Sequence, residues 1–274
     1  MGSRFKLSSQ KQALLETLLK EKGIAAAAAT GGIPRRQPSD QTVLSFSQQR
    51  LWFLEQLNPG TSFYNLPNFL TLQGAIDAAR LERCLNEIVQ RHEVLRTTIT
   101  THNDQPIQQV NDDQLSLVQM DRTGLSEQER TSVIKEFVQT ETRHQFDLEK
   151  GPLFKATLLR FSESDHVFCL NAHHIIFDGW SLDVLIRELA DLYAASALGT
   201  ASPLSELPLQ YADFAIWQQQ WMQGDTLEKQ LTYWKNKLAG ELPPLELMVA
   251  RPRGQQPSYR GATQSLALPS SLTQ

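Results

Sequence analysis

HVFCLNAHHIIFDGWS, residues 166–181, runs from an apolar stretch straight into a polar turn. The segment His166 to Ala172 has the apolar, β-branched and aromatic content of a buried strand, joined to LFKATLLRF (153–161) by the polar turn SESD. From Ser181 onward, SLDVLIRELADLYAAS (181–196) spaces its apolar residues as a helix does. His173 and His174 therefore stand at the end of a strand, before a turn and a helix start. Polar groups held there sit on rigid elements yet can face a crevice, so chemistry is favoured at this point of a fold.

Each residue of the turn has a physical use. A neutral imidazole titrates near working pH and can take a proton from an attacking amine or hydroxyl, and a second imidazole beside it can fix ring orientation. For the pair alone three readings stand: two satisfied structural histidines, acid–base chemistry, or a metal site. Zinc would want a further His, Cys or carboxylate at ligand spacing, and none stands out near the loop, so no metal is assigned. Asp178 reads as an ion-pair anchor for the loop rather than a second base, since burial without a cation is costly. Gly179 permits a tight turn, and its missing side chain lets backbone N–H groups at a helix start capped by Ser181 approach an oxyanion.

Outward from the turn, helices and strands alternate, which predicts an α/β (α+β) fold. SFSQQRLWFLEQL (45–57) reads as a helix and YNLPNFLTLQG (64–74) as a strand whose ladder Pro67 should interrupt. Asp77 caps a helix to about His92, with Leu81, Cys84, Leu85, Ile88 and Val89 on one face. VLRTTIT and PIQQV flank an Asn-Asp turn as a hairpin, LSLVQMD is a further strand, and Ser126 with Glu129 forms a capping-box signature for a helix through Phe137. Leu14, Leu15, Leu18 and Leu19 mark an amphipathic helix within residues 1–23; residues 24–41, rich in Ala, Gly and Pro, read as a linker; the folded body starts near Thr42. Two helical segments follow Tyr211. Trp52, Trp217, Trp221 and Trp234 read as core or interface residues and Trp180 as packing.

Composition excludes several classes. With 26 Lys and Arg against 30 Asp and Glu, a net charge of −4 offers no long-range attraction to nucleic acid or an anionic membrane. No stretch approaches the length of a membrane span. The two cysteines, Cys84 and Cys169, each lie in an apolar periodic segment without metal or disulfide spacing, which fits a cytoplasmic, reducing setting.

HHIIFDGWS resembles the HHxxxDG signature of nonribosomal peptide synthetase condensation domains and the chloramphenicol acetyltransferase superfamily. SFSQQRLWFLEQL, Arg91 to Thr97 (RHEVLRT) and Tyr211 to Trp217 (YADFAIW) resemble three further condensation-domain motifs, in the family's order. His173 with Asp178 also matches the H-x4-D spacing of glycerolipid acyltransferases, which resemble membrane-associated enzymes.

The condensation resemblance implies a chloramphenicol acetyltransferase-like lobe, a mixed sheet flanked by helices, with residues 42–220 as the amino-terminal lobe. Residues 221–274 would form a helical connection into a second lobe, most of which the chain is expected to lack. It implies amide-bond formation between a carrier-bound donor thioester and a carrier-bound acceptor amino acid, of the subtype coupling two L-residues. Partners would be donor and acceptor peptidyl carrier proteins bringing phosphopantetheine arms, with no cofactor bound directly, and a companion lobe or neighbouring modules. His174 is the principal catalytic residue on this reading, His173 shapes the loop, and Asp178 pairs with Arg91, or second with Arg96. The competing expectation is a non-catalytic fragment that binds a carrier protein or a partner lobe.

Overall fold

A computed structural model describes residues 32–37, 40–242, 264 and 266–272. The amino-terminal helix expected within residues 1–23, and the Ala-rich run after it, lie outside the described residues. The chain divides into two compact units, Met1–Thr226 and Leu227–Gln274.

In the first unit the element order is α1 (Phe46–Leu57), β1 (Asn65–Gln73), α2 (Ala78–Arg91), a 3-10 turn (Glu93–Arg96), β2 (Thr97–His102), β3 (Gln105–Val110), β4 (Leu117–Asp121), α3 (Glu127–Thr142), β5 (Phe154–Arg160), β6 (Asp165–His173), α4 (Gly179–Leu198) and α5 (Tyr211–Trp221). The second unit holds most of α6 (Gly224–Lys237), which begins just before the division, and a 3-10 turn at Ser270–Leu272.

Four strands form a mixed sheet in the order β1-β6-β5-β4, with β4 parallel to β5 and the other pairs antiparallel. Side chains alternate between the faces of a strand. One face of the sheet, carrying Leu66, Leu70, Phe168, Leu170, Ala172, Phe154, Ala156 and Leu158, joins the buried stripes of α2 and α4 in a single apolar cluster. The α2 stripe is the one its spacing predicts, Leu81, Cys84, Leu85, Ile88 and Val89. Each fully buried aliphatic side chain of this kind contributes about 1.5–3 kcal/mol. The opposite face places Phe69, Cys169 and Leu159 against Phe137 and Ile134 of α3. A mixed sheet flanked by helices on both faces is thus the observed architecture.

Local signals behave as their chemistry requires. Ser126 and Glu129 form the reciprocal capping box at the start of α3, although the helix runs on past Phe137 to Thr142. Asp77 accepts from the Arg80 N–H at the start of α2. The β2–β3 hairpin turns at Asn103 and Asp104 with φ of 49° and 59°, the left-handed pair that a two-residue turn needs.

Pro67 does not interrupt its strand. The His174 N–H donates to the Tyr64 carbonyl, so the bonded pairs of β1 and β6 fall at alternate positions beyond it, and Pro67 opposite Asn171 occupies a non-bonded position. Its nitrogen points to the open edge, since β1 is the outermost strand, and no ladder bond is lost.

Candidate active site

The β6 strand delivers His173 and His174 to a turn that bonds from four directions hold in place. The His173 N–H donates to the Leu153 carbonyl of the neighbouring chain segment at 2.9 Å, and the His174 N–H to the Tyr64 carbonyl at 2.7 Å. The next peptide is fixed from inside, because the Ile175 N–H donates to His173 Nδ1 at 3.1 Å and the Ile176 N–H to the His173 carbonyl at 3.1 Å. From α1, the Gln48 amide Nε2 donates to the Ile175 carbonyl at 3.2 Å.

The two imidazoles have different environments and different uses. His173 is 2% exposed, with the Tyr64 and Phe146 rings each meeting it edge-on at 6.2 Å between centroids. Burial, reinforced by the charge of His174, pushes its pKa down to about 4. It is a neutral ring whose Nδ1 must be bare to accept from Ile175, so it organises the turn. His174 is exposed, and its Nδ1 lies 2.9 Å from the Phe177 carbonyl oxygen. A carbonyl only accepts, so Nδ1 carries the hydrogen in that bond. In the neutral ring the lone pair is then on Nε2, where it can accept a proton.

Among the described residues Asp178 forms no ion pair with an arginine. Its carboxylate accepts from the Ser181 N–H at 2.8 Å and the Ser181 hydroxyl at 2.6 Å, which makes Asp178, not Ser181, the N-cap of α4. These two bonds, helped by the positive charge of His174, hold its pKa below the usual carboxylate range. An exposed carboxylate with local donors needs no cation, and so the cost that motivated the pairing does not arise. The arginines are engaged elsewhere: Arg91 Nε lies 3.2 Å from Glu188 of α4, which also accepts from His92 at 2.7 Å, and Arg96 donates to the Asn111 carbonyl at 2.6 Å.

Three further expectations change. The start of α4 is already filled by the Asp178 carboxylate, so it offers no ready oxyanion site at Ser181. Gly179 is the first residue of the helix and does not supply the turn by a left-handed conformation; a Cβ there would meet open space. Trp180 is 78% exposed rather than packed away, and one side of it borders a small apolar cavity of about 130 Å³ behind the turn, lined also by Ile88, Val94, Ile176, Phe177 and Val184. Cys169 lies in the sheet with its thiol pushed up to about 12 by burial, and is no nucleophile. Among the described residues no cluster of His, Cys, Asp and Glu side chains is arranged to hold a metal, and no helix is long and apolar enough to cross a membrane.

Residues 39–274 match the family model described as Condensation domain. The chain belongs to the condensation domain family. It is 41% identical over 261 residues to one of the linear gramicidin synthase proteins of Brevibacillus parabrevis, covering 95% of this chain and 3% of that protein. To phosphinothricin tripeptide synthetase of Streptomyces viridochromogenes it is 37% identical over 272 residues, covering 97% of this chain and 25% of that one. Among solved structures, the X-domain from teicoplanin biosynthesis superposes with a TM-score of 0.71 at 30% identity, over 84% of this chain and 50% of that one. The starter condensation domain of rhizomide synthetase shares the fold, with a TM-score of 0.67 at 21% identity over 75% of this chain and 50% of that one. The chain thus spans about half of these solved domains and a small part of the synthetases.

Within this condensation domain, the remaining motifs serve as scaffold around the turn. Glu93 and Asp213, from the second and fourth motifs, are both held by Arg36, at 2.6 Å and 3.2 Å. Ser45, the N-cap of α1, shares a 2.8 Å hydrogen bond with the Tyr211 hydroxyl. Reading residues along the chain did not single out Arg36, Gln48 or Gln108. Their roles depend on contacts between segments 57–177 residues apart, which no local pattern encodes.

Proposed function

We propose that this condensation domain forms an amide bond between a donor acyl or peptidyl thioester and an acceptor aminoacyl thioester, each tethered through a phosphopantetheine arm to a carrier protein. The acceptor's α-amine attacks the donor carbonyl and gives a tetrahedral intermediate. Collapse breaks the C–S bond, leaves the new amide on the acceptor carrier, and releases the donor arm as a thiol. His174 Nε2 receives the proton that the amine gives up and returns it to the departing sulfur, so the ring ends neutral. Holding both tethered reactants in near-attack geometry supplies much of the rate, up to about 7–11 kcal/mol relative to free solution. The form of the first motif and of HHIIFDGWS favours coupling of two L-residues.

One observation carries the reading: the Nδ1 side of His174 is committed to the Phe177 carbonyl, which leaves Nε2 as the basic atom on an exposed ring. A platform that only binds other proteins has no need of that arrangement. The test compares product formation from two substrate-loaded carrier proteins by the chain within a complete condensation domain, as wild type and as His174→Ala. A loss of about 10²-fold or more is expected. An unchanged rate refutes catalysis by this loop. It would favour a binding role, for which the X-domain solved in complex with OxyB from teicoplanin biosynthesis is an analogy.

A further inference from the structure

Gln48 is 1% exposed and every polar atom of its amide is used. Its Oε1 accepts from the Ser45 N–H at 3.0 Å, while Nε2 donates to the Ile175 carbonyl at 3.2 Å and to Gln108 Oε1 at 3.3 Å. The orientation of the amide is unambiguous, because a backbone N–H only donates and a backbone carbonyl only accepts. Gln108, itself 2% exposed, is locked in turn, since its Nε2 donates to the Val43 carbonyl at 2.7 Å. A chain of two buried amides therefore runs from the β2–β3 hairpin and the start of α1 into the middle of the His174 turn.

The peptide between Ile175 and Ile176 is fixed at two points, its N–H by the His173 carbonyl at 3.1 Å and its C=O by Gln48. The preceding peptide is held through the Ile175 N–H by His173 Nδ1, so Gln48 is the only side chain outside the turn that bonds to the Ile175 carbonyl among the described residues, one residue after His174 and two before Phe177. Rotation of the peptide between Ile175 and Ile176 would carry the Phe177 carbonyl away from His174 Nδ1, and with it the bond that decides which ring nitrogen is bare. Resting on the catalytic reading of His174, we infer that Gln48 is a positioning residue for the condensation reaction: through the Ile175 carbonyl it keeps the Phe177 oxygen under His174 Nδ1 and so keeps Nε2 basic. Gln48 touches no reacting atom. Its effect passes through the backbone, as in sites where an outer group sets the tautomer of a working histidine.

The experiment reads the tautomer directly. The full 274-residue chain, with its six histidines labelled at the ring nitrogens, is examined by 15N NMR at a pH where His174 is neutral, His174→Ala assigning the signal. The wild type should show His174 protonated at Nδ1. Gln48→Met, close in volume but without donors, should shift it towards the Nε2-protonated form that a free imidazole side chain prefers. In a complete condensation domain the same substitution should lower the rate about tenfold, a part of the 10²–10⁴ that a positioned base supplies. Arg130→Ala, which breaks the 2.9 Å pair with Asp165 at the opposite end of β6, is the control for destabilisation alone and should leave the His174 signal unmoved.

If Gln48→Met does not fold, Gln48→Glu gives the same reading, since a carboxylate keeps the acceptor for Ser45 and loses the donors to Ile175. An unmoved tautomer in whichever variant folds overturns the proposal, and so does failure of both to fold, which would make Gln48 a folding residue. An unchanged rate in His174→Ala is a different result: it removes the catalytic reading while the NMR signal still decides whether Gln48 sets the ring.

Discussion

Replacing His173 by asparagine removes a titrating ring that the fold keeps neutral, while retaining a side-chain acceptor for the Ile175 N–H. The ring is 2% exposed and its pKa falls from the ordinary 6.5 to about 4, burial being the larger cause and the charge of His174 the smaller. In the unfolded chain the same ring protonates as pH falls through its ordinary value. Between these limits the unfolded state binds a proton that the native state refuses. Stability contributed by the neutral ring is therefore complete above pH 6.5, declines as pH falls, and levels off below about 4. At about 1.4 kcal/mol per pH unit, the whole loss is about 3 kcal/mol. Urea unfolding of wild type and His173→Asn, at a series of pH values from about 7 to about 4, measures it. The wild-type curve should fall more steeply by that amount, because the carboxylates titrate equally in both proteins and cancel in the difference. Parallel curves across the whole window would refute the neutral-ring assignment.

Three further outcomes test the contacts around the turn. Asp178→Ala should cost about 1 kcal/mol, the value of a helix cap, as read from thermal or urea unfolding; a loss of about 3–5 kcal/mol, shared non-additively with Arg91→Met, would restore the ion pair that the sequence suggests. Arg36→Met leaves the Asp213 carboxylate, 2% exposed, without its cation and should destabilise the first unit by roughly 3–5 kcal/mol. Adding Asp213→Asn to Arg36→Met should recover part of that loss, and no recovery would mean that Arg36 acts by packing alone.

What could be read from the residues follows the range of the interactions concerned. Apolar spacing in α2, the Asn103-Asp104 turn and the Ser126–Glu129 box are local devices, and each is visible in a window of a few residues. The placing of His173 and His174 at a strand end was legible for the same reason, as a continuous apolar run gives way to helical spacing beyond the turn. Partners of charged side chains were not. Asp178 has two donors three residues away in Ser181, an ordinary cap that a histidine-rich turn can obscure, while the Arg91 partner Glu188 lies 97 residues along the chain on α4. Whether Pro67 breaks a ladder depends on its register and on which strand is outermost, and both are set by the sheet rather than by neighbouring residues.

The bonds that fix the His174 turn all arise within the first unit: Tyr64 and Leu153 carbonyls from the flanking strands, His173 from the turn itself, and Gln48 from α1. The reactive side is built differently, with His174, Asp178, Gly179 and Trp180 all exposed. A hydrogen bond from a ring open to water competes with solvent and gains little, whereas the same bond in a site closed to water acts in a much lower dielectric. Orientation and tautomer of the His174 ring are therefore set in advance by these residues, and on the proposed reading the base needs no reorganisation when a substrate arrives. On the proposed reading, the exposed ring still requires exclusion of water and delivery of two tethered reactants to Nε2. The carrier arms would supply the delivery, and the companion lobe expected from the resemblance would exclude water. It follows that substitutions at Gln48 should act on the chemical step, lowering kcat and leaving the binding of the loaded carriers unchanged.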